Sequence, residues 1–130
     1  MIKKRLIVLL VCLLIFAAVF IGLGFVPRTD VFLVDYTVSQ DGSQIELQVA
    51  VASSMGYTRA FRSKQGGFNE YVTFYSAFGG FNSKIGARSR FVLDVDAINC
   101  DEIYFYHGNG GYQLVLQKNP ETNVWERVTK

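Results

Sequence analysis

The sequence predicts an all-β domain, a single antiparallel β-sandwich of seven or eight strands with a small β-barrel as runner-up, carried behind one N-terminal transmembrane helix. Three observations support this. Residues 6–26 hold no charge. Beyond them the apolar residues alternate with a period of two, the repeat of strands that bury one face. The alternating runs are separated by Gly, Asn, Asp and Pro clusters, which is turn chemistry.

The uncharged run opens at Leu6, passes through Phe16 and closes at Val26. As a helix it would span about 31 Å, close to the thickness of a bilayer hydrocarbon core. Lys3, Lys4 and Arg5 precede it and nothing comparable follows directly. The positive-inside bias therefore sets residues 1–5 in the cytoplasm as a basic tail and residues 27–130 outside. A cleaved signal sequence shares the basic start and apolar middle, and Gly22 and Gly24 are small residues spaced for cleavage after Gly24. The run is longer than a signal core and no polar stretch precedes that site. The expectation is thus a single-pass anchor in the cell membrane, with secretion after cleavage near Gly24 as the alternative. Ala18 and Gly22 have the small-xxx-small spacing of packed membrane helices, which chance supplies readily in so apolar a run.

The first strand is expected over residues 31–39, with Phe32, Val34, Tyr36 and Val38 on one face. The second, over 44–53, points Ile45, Leu47, Val49 and Val51 inward. Asp41-Gly42 between them is suited to a tight hairpin turn. A weaker pattern marks 57–64. Further strands follow at 69–78, with Val72 and Phe74 inward, and at 88–96, with Phe91, Leu93 and Val95 inward. The last three, 102–106 around Ile103 and Phe105, 112–118 around Leu114 and Leu116, and 124–128 around Trp125, form an antiparallel meander through two loops rich in Gly and Asn. Gly66-Gly67-Phe68-Asn69 and Gly79-Gly80-Phe81-Asn82 echo each other. They read as turns at opposite ends of one strand, although paired glycines could also let a ligand approach the backbone.

The two cysteines cannot form a structural disulfide, since Cys12 lies in the apolar run and Cys100 outside it, so Cys100 is expected to be a buried, inert thiol. Catalysis is not expected. The one histidine, His107, stands seven residues from Cys100 across a strand, about 20 Å away, too far to serve as its base. Asp94, Asp96, Asn99, Asp101 and Glu102 cluster, but their spacing lacks the central Gly of a calcium loop, and they read as a wet strand face followed by a turn. No cofactor or metal is implied.

The net charge of +2 comes from the basic tail, for residues 27–130 carry ten Lys/Arg against eleven Asp/Glu. That balance argues against a nucleic-acid partner. Within residues 57–90, however, Arg59, Arg62, Lys64, Lys84, Arg88 and Arg90 face the single acid Glu70. Tyr57, Phe61, Phe68, Tyr71, Phe74, Tyr75, Phe78 and Phe81 interleave with them. Tyr71 and Tyr75 would share the strand face opposite Val72 and Phe74, and Tyr104 and Tyr106 repeat the pattern on another strand. Tyrosines bordered by Arg and Lys suit a surface that stacks on sugar rings or packs on a protein. The expected function is an extracytoplasmic binding module for an envelope polymer or a membrane protein, using Tyr71, Tyr75, Arg59, Arg62, Arg88 and Arg90. The alternative is an accessory or structural subunit docked on a membrane complex through its transmembrane helix.

Overall fold

The structure, a computed structural model, describes residues 2–52, 56–80 and 82–128. Helix α1 (Ile2–Leu23) is followed, among the described residues, by nine strands: β1 (Pro27–Arg28), β2 (Val31–Val38), β3 (Gln44–Val51), β4 (Thr58–Gly66), β5 (Asn69–Ser76), β6 (Arg90–Asp94), β7 (Glu102–Gly108), β8 (Gly111–Lys118) and β9 (Trp125–Arg127).

None of the 22 residues of α1 is buried, and by length and composition it can cross a membrane. It stops at Leu23, short of Val26. There the amides of Gly24, Phe25 and Val26 donate to the carbonyls of Ile21, Gly22 and Leu23, a tightened i−3 turn. Pro27 then has no N–H with which to continue the ladder.

The strands form two sheets. The smaller has the order β2-β3-β6; in the larger, β4 and β5 pair along their length, and β5 is joined on its other side to β7, which leads to β8 and β9. The two residues of β1 also pair with β5, opposite Phe74 and Tyr75. The sheets enclose one core in a sandwich-like arrangement. Ile45, Leu47, Val49, Phe91 and Leu93 come from the small sheet, and Val72, Phe74, Ile103, Phe105, Leu116 and Trp125 from the large one. The ring of Phe74 touches Phe61, Phe91 and Phe105, with centroids 4.9–6.2 Å apart.

Three expectations are corrected. The sandwich is not wholly antiparallel, because β5 and β7 pair in parallel from Asn69↔Glu102 to Val72↔Phe105; β6, lying between them in the chain, belongs to the other sheet. In β2 a bulge between Leu33 and Asp35 breaks the alternation. Leu33 is buried, whereas Phe32 and Val34 are 47% and 40% exposed and only Tyr36 and Val38 keep the expected face. An extra residue in a strand inverts the inward set on one side of it. A bulge in β8 acts likewise: Leu116 registers with Ile103 but Leu114 with Tyr104, so Val115 packs against the core where Leu114 was expected.

The meander of β7, β8 and β9 is antiparallel as expected, and Asp41 builds the first hairpin turn. Its carboxylate accepts hydrogen bonds from the Ser39 hydroxyl (2.7 Å) and from the Ser43 hydroxyl and amide (2.8 and 3.1 Å). These bonds, that of Ser39 foremost, lower its pKa to about 2.

Candidate functional site

Along β5 the residues Glu70, Val72, Phe74 and Ser76 face the core, which leaves Tyr71, Thr73 and Tyr75 half-buried on the outer face of the large sheet. The second sheet covers the opposite face. Tyr104 and Tyr106 are their counterparts on β7, and Tyr112, opposite Tyr106 on β8, completes the group. Tyr71 stacks on Tyr104 with ring centroids 5.2 Å apart and planes 20° from parallel. Tyr112 meets Tyr71 edge-on at 4.9 Å and Tyr106 at 5.6 Å. Four tyrosines from three adjacent strands thus make one continuous strip.

Two devices fix the strip. Gly66 at the end of β4 makes room for it, since a Cβ there would lie 2.8 Å from Cε2 of Tyr71. The Tyr104 hydroxyl donates to Oε2 of Glu102 at 3.1 Å. Burial, reinforced by this bond and by the Glu102 charge, raises the Tyr104 pKa, so the phenol stays protonated as the donor. On the β4 side, Lys64 registers with Tyr71 and Arg62 with Thr73, both exposed. The result is an aromatic surface with two cations along one border and the carboxylate of Glu102 at one end.

The six residues singled out in the sequence do not form one site. Tyr71, Tyr75 and Arg62 share the outer face, with Tyr75 opposite Ala60 and Pro27. Arg59 is instead the bolt between the domain and the segment after α1. It donates to the carbonyls of Gly24 and Ser76, and its guanidinium lies 4.3 Å from the Phe78 ring centroid and 5.0 Å from that of Phe25. Arg88 lies over Phe91 at 5.5 Å and lines a cleft of about 410 Å³ between β3 and β4, with Val49, Val51, Tyr57 and Thr58. Arg90 sits on the small sheet, 3.8 Å from Glu46. Leu6 and Phe16 are exposed along α1, and Val26 lies past its end, where its carbonyl accepts from the Ser76 amide at 3.1 Å. Phe81 lies outside the described residues.

Tyr104 and Tyr106 were visible as an alternation, but Tyr112 joins the strip only through the β8 register, which depends on a bulge.

The remaining chemistry is quiet. Cys100 is buried, and that burial, aided by the nearby Glu70, pushes its thiol up to about 11, so at neutral pH it is protonated and a poor nucleophile. His107 is exposed at the far end of β7. Asp96 caps its own turn, accepting from the amides of Ile98 and Asn99 at 3.0 and 3.1 Å. Among the described residues no three His, Cys, Asp or Glu side chains are grouped to hold a metal.

Comparison with protein-family models, with curated proteins and with solved structures finds no match to this chain.

Proposed function

We propose that the chain is a single-pass membrane protein, N-terminus in the cytoplasm, whose β-sandwich is an extracytoplasmic binding module without catalytic activity. Its ligand on this reading is an envelope polymer of sugar rings bearing carboxylate or phosphate. The tyrosine strip of Tyr71, Tyr104, Tyr106 and Tyr112 is the observation that carries it. Rings packed against one another, one pair stacked and two pairs edge to face, offer a preorganised aromatic surface, and Arg62 and Lys64 beside it supply attraction for acidic substituents. The four side chains constrain one another, so little rotamer freedom is left to lose on binding.

The test is a titration of the full-length protein in detergent with an oligogalacturonate and with a neutral oligosaccharide of equal length, followed by tyrosine fluorescence. Expected are binding of the acidic chain, weakening by salt, and loss in the Tyr71→Ala/Tyr104→Ala double variant while thermal unfolding stays cooperative. Binding unaffected by that variant would refute the site. The alternative, a subunit docked on a membrane complex through α1, draws on the uncovered sides of that helix. It would be favoured if exchanging residues 6–26 for an unrelated apolar helix abolished function while the tyrosine variants did not.

A further inference from the structure

The tyrosine strip makes no use of the Gly79-Gly80 pair, and the structure gives that pair a separate task. Gly79 and Gly80 have φ angles of +88° and +65°, and their backbone lies directly against the end of α1. The Gly79 amide donates to the Phe20 carbonyl at 3.0 Å. A Cβ on Gly79 would come within 2.7 Å of the Phe20 ring, and one on Gly80 within 3.2 Å of Leu23. Phe20 and Leu23 both belong to the apolar run. The domain therefore touches the helix at a level still inside the stretch suited to hydrocarbon, and is joined to it without a linker.

What surrounds that contact has the composition of a membrane interface. Ile85 is 57% exposed and is fixed at the same level, because it bridges Phe78, whose amide donates to the Ile85 carbonyl at 3.0 Å while its ring packs on Gly24. Phe25 and Val26 are 58% and 47% exposed beside it. Lys84 stands next in the chain, its Nζ 5.7 Å from the Tyr57 ring centroid. Apolar side chains at the helix end, an aromatic ring and a long cation able to extend to the headgroups are the groups that partition to the bilayer boundary.

We infer that the domain rests on the bilayer through this second, monotopic contact, with Phe25, Val26 and Ile85 at the acyl boundary and Lys84 among the headgroups. The inference rests on the reading of α1 as a membrane anchor and adds an orientation to it. Strand β5 runs toward this end, so Tyr71, five residues before Ser76, stands about 17 Å along the strand away from it. The tyrosine strip is thus held at a set height and angle above the lipid.

The experiment uses full-length protein in vesicles of phosphatidylcholine and phosphatidylglycerol. In a Cys12→Ser background, with Cys100 buried, single cysteines at Phe16, Phe68, Lys84 or Ile85 (Phe16→Cys, Phe68→Cys, Lys84→Cys, Ile85→Cys) carry an environment-sensitive fluorophore. Lipids bear a spin-label quencher near the headgroup or deep in the chains. Expected are quenching of the Phe16 label by the deep quencher, loss of most emission with a blue shift at Ile85 with the shallow quencher, a smaller loss at Lys84, and none at Phe68 in the distal turn. If the Phe16 label is quenched while labels at Ile85 and Lys84 match Phe68, the anchor stands and the second contact is refuted. Equal quenching at Phe68 and Ile85 also refutes the orientation. A Phe16 label untouched by either quencher overturns the anchor and the inference with it.

Discussion

Gly66 offers a direct test of the tyrosine strip, because the sign of the Gly66→Ala effect depends on where the Tyr71 ring lies. Gly66 does not occupy the left-handed region, so alanine meets no backbone strain there. In open space the substitution stabilises a strand by about 0.5–1 kcal/mol, through the entropy that glycine loses on folding. Here the new Cβ would lie 2.8 Å from Cε2 of Tyr71. Ordinary contact requires about 3.5–4 Å, so the ring must retreat by about 1 Å. That move weakens its pairs with Tyr104 and Tyr112, each worth about 0.5–1.5 kcal/mol. Against the backbone gain, loss of up to both pairs makes the net destabilisation about 0–2.5 kcal/mol. For a domain of this size that lowers the unfolding midpoint by up to about 10 °C. The measurement is thermal unfolding of the full-length variant in detergent, with near-ultraviolet circular dichroism as the readout of tyrosine packing. A raised midpoint with an unchanged tyrosine signal would refute the placement of Tyr71 over Gly66, and with it the strip.

Other positions give sharp expectations. Phe74→Ala removes a ring that touches three others in the core and should cost about 3–5 kcal/mol in denaturant unfolding. The β2 bulge predicts that Leu33→Ala costs about 2–5 kcal/mol while Val34→Thr costs under about 0.5; the reverse order would put the bulge elsewhere. Glu70 is buried on the core face, and desolvation raises its pKa. Its contribution is therefore fully present below the unfolded carboxylate range, near pH 4, and is lost as pH rises through the raised folded value. Glu70→Gln should match the parent at about pH 4 and exceed it in stability at pH 7; no gain at pH 7 would contradict the cause assigned. Cys100 should react with a maleimide only on unfolding, and labelling of the folded protein at the rate of a free thiol would show that it is not buried.

Much of the fold was legible because burial of one strand face imposes a period of two, and the eight alternating runs all became strands. Local arithmetic fails where an extra residue enters. At Val34 and again at Val115 the alternation continues in sequence while the sheet skips a step, and only pairing with β3 or β7 reveals it. Parallel pairing of β5 with β7 was hidden for a related reason, since strand runs do not say which sheet each joins. Tyr71, Tyr75, Tyr104 and Tyr106 could be read as outward because each adjoins an apolar core residue on its own strand. The scatter of the arginines could not. Charge counted along residues 57–90 carries no record of β4 and β6 belonging to different sheets, or of Arg59 turning toward Gly24.

The parallel union of β5 and β7 also governs the order in which the molecule can come into being. Between them the chain leaves the large sheet, lays β6 beside β3, and returns. The large sheet thus has no centre until β7 arrives: without it β4 and β5 have no link to β8 and β9, and Val72 and Phe74 lack Ile103 and Phe105. A chain emerging from its N-terminus gains α1 first and remains an open, half-built pair of sheets until residues beyond 101 are free to pair. Closing contacts that distant in sequence is slow. The newly emerged domain therefore passes through an interval in which its apolar faces are accessible to chaperones, proteases and one another.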